Sequence, residues 1–402
     1  MKDRIVIIDG IRTPFCKAGT TFKNISADDL GAFAVREIIA RSNIDPTLID
    51  ELIMGCVAQP VNAANIARVI GLKAGLPHST PAFTVHRNCA SGMESVSSGI
   101  NKILANQANI IIAGGAESMS NIPLLFNAKM TTLFFSLMKA KTTLQKLAVI
   151  SSFRMSFLKP IIGIQEGLTD PVCGLNMGQT AEVLAKEFHI DRHTQDAFAL
   201  ASHQKAFKAQ NDKIFAEEIV PIPIPTKNTA IQADDNGPRG DQSIEALARL
   251  KPYFDRHYGT VTVGNACPVT DGAAAVILMR ESKAKELGYT PLAVIHAYAY
   301  AGLEPARMGL GPVYATEKLL KQTGLTLANF DLIEINEAFA VQVLACLQAF
   351  ENKAIGKVNL DILNVNGGAI ALGHPVGTTG TRLLITLAKS LKRRNKSLGL
   401  AT

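Results

Sequence analysis

PTLIDELIMG (Pro46–Gly55) passes from a helix end through an acidic turn into a strand, and LANFDLIEIN (Leu327–Asn336) repeats that layout in the second half of the chain. The correspondence continues outward. Pro81–Val85 is an apolar, β-leaning run followed by the small-residue turn HRNCASG (His86–Gly92). Behind it Met93, Val96, Ile100, Ile103 and Leu104 recur at helical spacing, predicting a helix over Glu94–Gln107, then the strand NIIIAGGAES (Asn109–Ser118). Its counterpart is strand ILNVNGG (Ile362–Gly368), turn ALGHPVGTTG (Ala371–Gly380), a helix over Thr381–Arg394, and SLGLAT. Strands and helices therefore alternate at both ends of a duplicated α/β chain, with helices covering mostly buried sheets.

Between the copies the pattern changes. Ser120–Lys251 reads as an insertion with its own helices, best seen in Met177–Phe188 and Arg192–Gln210. PIPIPTKNTAIQADDNGPRGD (Pro221–Asp241) reads as an ordered loop or linker. The expected divisions are 1–119 for the first part of the N-terminal half, 120–251 for the inserted loop domain, 252–274 for the return to the N-terminal half, and 275–402 for the C-terminal half.

With 402 residues, 47% of them hydrophobic, the chain can bury an ample core, which excludes a disordered or fibrous protein. Six scattered cysteines form no CxxC or Cys/His cluster, so neither a metal site nor a disulfide framework is expected, and the usage fits a reducing cytoplasm. A strand at Arg4–Gly10 leaves no room for a leader peptide, and no apolar run suits a membrane-spanning helix. The net charge of +7 is uneven. No acidic residue lies between Glu117 and Glu166, where Lys129, Lys139, Lys141, Lys146, Arg154 and Lys159 alternate with Leu, Phe, Met and Ile. Such a segment suits an anionic membrane surface, cofactor phosphates or plain solvation. Nucleic acid is disfavoured because no recognition motif accompanies the charge.

Cys89 falls at or just before a helix N-terminus, where free amides and the dipole favour a nucleophilic thiolate; the competing reading is a small core residue. His374, in a Gly- and Pro-bounded turn, is either its partner base or a structural histidine. In NEAFA (Asn336–Ala340), Asn336 suits orientation of an oxyanion-hole water, and Glu337 either positions a base or caps the next helix. The Gly-rich pieces match neither a Walker loop nor a dinucleotide-binding turn.

Taken with GGAESMS (Gly114–Ser120), MGQTAE (Met177–Glu182), GNACPVTDGAAA (Gly264–Ala275) and NVNGGAIALGHPVGTTG (Asn364–Gly380), in this order, the chain resembles the thiolases from Arg12 to its end. The resemblance implies the thiolase fold of duplicated, layered αβαβα halves with an inserted helical loop domain. It assigns catalysis to Cys89 as nucleophile, His374 as activating histidine and Asn336 as holder of the oxyanion-hole water. Met177, Cys267 and Gly373 are the expected substrate-binding positions. CoA is implied as co-substrate with no permanently bound cofactor and no metal, and the chain is expected as a cytoplasmic homodimer or tetramer. The long basic insertion resembles that of β-oxidation thiolases that work beside a hydratase/dehydrogenase subunit and meet the membrane, here through 123–162.

The implied activity is cleavage of 3-ketoacyl-CoA by CoA through an acyl-cysteine. Thiolases carry a second cysteine in a CxG motif beyond the position of Thr402, so a truncated, catalytically impaired acyl-CoA-binding protein is a competing expectation. Acetoacetyl-CoA thiolase is the nearer alternative. A lipid-synthesis condensing enzyme shares the Cys, His, Asn set, but the GHP turn and NEAFA match thiolases better.

Overall fold

The computed structural model describes residues 3–224 and 230–402. Strands β1 (Ile5–Arg12), β2 (Cys16–Lys17), β3 (Glu51–Gly55), β4 (Ala82–Val85), β5 (Ile110–Ser118), β6 (Thr270–Arg280) and β7 (Ala293–Ile295) build one sheet. Its order is β7-β1-β6-β5-β3-β4, with β2 also paired to β6. The β4, β3 and β5 ladders are parallel, while β6 runs antiparallel to both β5 and β1.

β5 and β6 read as nearly continuous apolar runs because both of their faces are covered. Ile110, Ile112 and Ala116 point into a cluster with Leu30 and Ile38 of α1 (Ala27–Ser42) and Ile66 and Ile70 of α2 (Ile66–Ala74). Ile111 and Ala113 point the other way, toward Val96, Ile100 and Ile103 of α3 (Ser91–Leu104) and toward Ile385. Each such isoleucine contributes about 1.5–3 kcal/mol by leaving water. α1 has its stop and start signals in place: Ser26 accepts from the Asp29 N–H, Asp28 and Asp29 sit in the first turn, and Asn43 ends the helix at φ 48.

The second copy repeats the first in its hydrogen bonding. β8 (Leu332–Glu334) pairs in parallel with β9 (Gly399–Ala401), and Ile333 bridges in parallel to Leu363. The order Leu363, β8, β9 thus mirrors β4, β3, β5. The second half also contains α5 (Ala340–Asn352) and α6 (Thr379–Arg393), preceded by the long α4 (Arg192–Asn211). Two helices start earlier than the spacing predicts, α3 at Ser91 and α6 at Thr379, because their small-residue turns are already helical where the copies touch.

Arg12 of β1 supplies a buried lock. Its Nε donates to Glu218 at 2.7 Å, and its Nη1 and Nη2 donate to Asp235 at 2.7 and 2.8 Å. Bidentate pairing and phenylalanine rings on its faces satisfy a charge too costly to bury alone. The Pro-rich stretch expected as a linker partly pairs, Ile222–Ile224 with Ala230–Gln232; its centre, 225–229, lies outside the described residues.

A second compact unit spans Ile122–Met177. Within it are the helices Ala128–Lys139 and Thr143–Ser151 and the short pair Leu124–Leu125 with Ile161–Ile162. Asn127 starts the first helix by accepting from the Met130 N–H and donates to the carbonyls of Phe157 and Lys159. Phe135, Met138, Leu144, Leu147, Ile150 and Met155 remain exposed. Among the described residues, no helix is long and apolar enough to cross a membrane.

Candidate active site

Cys89 stands in the turn between β4 and α3. Asn88 takes φ 47, a left-handed conformation that asparagine tolerates better than most residues. Ser91 then ties the turn, its Oγ accepting from the Arg87 N–H at 2.8 Å and donating to the Asn88 carbonyl at 2.7 Å. No side chain caps α3 at Ala90. The residue is open to solvent on one side, yet desolvation by the protein on the others pushes the thiol up to about 11. The Cys89 backbone N–H works against that shift, and the charge of Glu117 adds to it. Desolvation thus opposes the thiolate expected from the helix dipole, and a neighbouring base would assist ionisation.

His374 suits that role in its protonation. It is buried, and desolvation, assisted by the charge of Arg382, holds it down at about 4, so the ring is neutral at pH 7. Its Nδ1 lies 2.6 Å from the Thr379 hydroxyl, which donates its own proton to the Pro375 carbonyl at 3.0 Å. Thr379 must accept from the ring, which assigns the proton to Nδ1 and leaves the Nε2 lone pair free. Nε2 has no partner among the described residues.

The two copies interlock at glycines beside these side chains. A Cβ on Gly92 would lie 2.7 Å from the Thr381 nitrogen, and one on Gly380 would lie 2.5 Å from that of Met93. A Cβ on Gly55 would meet both Ser91 and the Gly377 carbonyl. The N-terminal turns of α3 and α6 thus abut, bringing the Cys89 loop and the His374 turn together. Gly373, at φ 105, packs against Thr270, and His374 bridges to Val269.

Cys267 is two residues before Val269. Its N–H donates to the Ala338 carbonyl at 3.0 Å, and the Ala340 N–H donates to the Asn265 carbonyl at 2.8 Å, docking NEAFA against the segment that leads into β6. Desolvation pushes the Cys267 thiol up to about 12, and Cys89 is near enough to reinforce the shift. The Asn336 Oδ1 is buried without a partner among the described residues. Glu337 does not cap α5, whose N-cap is Phe339. It is buried and accepts from the Ser202 hydroxyl at 2.6 Å, the Asn364 amide at 2.8 Å and the Ile370 N–H at 3.3 Å, fixing NEAFA to the glycine-rich segment before His374. Met177 opens the helix Met177–Glu187 and is the last residue of the second unit; its N–H donates to the Leu168 carbonyl at 2.9 Å.

Sequence reasoning missed Glu117 and Thr379. A carboxylate near the end of an apolar strand and a hydroxyl one helical turn after the histidine were the available signals. Among the described residues no cluster of His, Cys, Asp or Glu is arranged to hold a metal ion.

Residues 5–282 match the model of the thiolase N-terminal domain, and residues 289–402 that of the thiolase C-terminal domain. The chain belongs to the thiolase family. It is 42% identical to a 3-ketoacyl-CoA thiolase of Shewanella piezotolerans, the alignment covering 100% of this chain and 94% of that protein. A 3-ketoacyl-CoA thiolase of Serratia proteamaculans is 41% identical over the same shares. The fold is the thiolase fold. Bacillus anthracis acetyl-CoA acetyltransferase superposes with TM-score 0.89 at 35% identity, covering 99% of this chain and 95% of that one. Human mitochondrial 3-ketoacyl-CoA thiolase superposes with TM-score 0.88 at 34% identity, over the same shares.

Proposed function

We propose that this chain is an acyltransferase that cleaves 3-ketoacyl-CoA with CoA, giving acetyl-CoA and a shortened acyl-CoA. The observation that carries the reading is a neutral, buried His374 with Nδ1 committed to Thr379 and Nε2 free, on a turn packed against the Cys89 loop. Its support is the full-length similarity to proteins named 3-ketoacyl-CoA thiolase. A human relative solved in complex with CoA, TM-score 0.86, supports CoA as co-substrate.

In this reading His374 Nε2 takes the Cys89 proton, and the thiolate attacks the 3-keto carbon. The C2–C3 bond breaks with its electrons passing to the acetyl-CoA enolate. The protonated Nε2, now a donor, and a water held by Asn336 stabilise that oxyanion. The imidazolium gives its proton to C2 of the enolate, releasing acetyl-CoA; Nε2 next takes the CoA thiol proton, the CoA thiolate attacks the acyl-cysteine, and the expelled Cys89 thiolate takes that proton back. Cys267, Gly373 and Met177 are the proposed substrate-binding residues.

Cleavage of acetoacetyl-CoA and longer 3-ketoacyl-CoA substrates, followed with wild type and Cys89→Ser, tests the proposal. Turnover of longer chains that is lost in C89S is expected; binding without acylation of Cys89 overturns it. Activity confined to acetoacetyl-CoA favours the second reading, which the acetyl-CoA acetyltransferase neighbour supports. The basic, apolar segment 123–162 fits peripheral contact with an anionic lipid surface, through charge complementarity and exposed Phe, Leu and Met side chains. A homo-oligomer in the cytoplasm, working beside a hydratase/dehydrogenase subunit in β-oxidation, completes the reading.

A further inference from the structure

Glu117 is the penultimate residue of β5, with its carboxylate buried. One oxygen accepts from the Ala58 N–H at 2.9 Å and faces the Cys56 thiol at 3.6 Å. The other accepts from the Val57 N–H at 3.0 Å and the Gly377 N–H at 2.9 Å. All four partners are donors; desolvation raises the Glu117 pKa, and these hydrogen bonds work against that shift. Three of the donors belong to the loop after β3, in the Cys89 copy. The fourth is three residues from His374.

Steric fit completes the hold on Gly377. A Cβ on Gly115 would lie 2.1 Å from the Gly377 carbonyl, and one on Gly377 would lie 2.9 Å from Glu117 Oε2. One face of this turn is thus pressed on bare β5 backbone while its N–H is held by a carboxylate from the same strand. We propose that Glu117 is a positioning residue for the Cys89 and His374 pair, locking the histidine-bearing turn onto the Cys89 copy.

The proposal rests on the thiol and imidazole acting as read above, which C89S tests separately. Here the measurements are kcat and KM in wild type, Glu117→Gln and Glu117→Asp. E117Q places an amide among donors. Its kcat is expected to fall about 10- to 100-fold with KM changed less than about twofold. E117D keeps a carboxylate acceptor but shortens the reach, so kcat falls with KM held. Wild-type kcat in either variant overturns the proposal, as does a loss confined to KM in folded protein. Should E117Q fail to fold, E117D decides by the same split.

Discussion

At the scale of single residues, the site is governed by desolvation more than by dipoles. A cysteine beside a helix N-terminus invites the expectation of a thiolate, yet the surrounding protein pushes the thiol up to about 11. His374 is buried, and desolvation holds it at about 4. A base must be unprotonated to act, so activity is lost only as pH falls through the folded-state pKa. The acid limb of kcat/KM is therefore expected near pH 4, well below the ordinary histidine value of about 6.5; a limb at 6 to 7 in a pH–rate profile contradicts it. Thr379→Val removes the acceptor that orients the ring. We expect kcat to fall about 10- to 100-fold with the fold intact by circular dichroism, and Thr379→Ser to restore most of it.

At the scale of elements, the turns matter through what they leave out. Gly55, Gly92, Gly115, Gly377 and Gly380 let backbone from one copy touch backbone from the other. Gly115→Ala would drive a methyl group into the Gly377 carbonyl at 2.1 Å, where the neighbour is backbone and cannot swing away. The expected result is a loss of about 1–3 kcal/mol in denaturant titration, with a larger proportional loss of kcat because His374 rides on the displaced turn. The sequence exposes these glycines as tight turns; it does not show which backbone each one meets, because that contact is made across the duplication.

For the whole molecule, the ion lock and the basic unit give the remaining expectations. Arg12→Ala would leave Glu218 and Asp235 buried without their cation, and a loss of about 3–5 kcal/mol is expected by thermal or urea unfolding. The segment 123–162 is expected to bind vesicles containing anionic lipid at low salt and to release them as ionic strength rises. Replacing Lys129, Lys139, Lys141 and Lys146 by glutamine should weaken co-sedimentation without changing kcat; binding indifferent to lipid charge would exclude this surface role.

The duplicated α/β layout and the place of Cys89 in a strand-to-helix turn were legible in one dimension. Each is written in local terms, as apolar periodicity, turn residues and a repeated layout. The resting charge of Cys89 and His374, the tautomer set by Thr379, the network that takes Glu337 away from helix capping, and the clasp of Glu117 on Gly377 were decided only by tertiary structure. Those properties depend on which donors and which low-dielectric walls surround a group, and here the partners come from segments far apart in sequence, brought together when the two copies fold against each other.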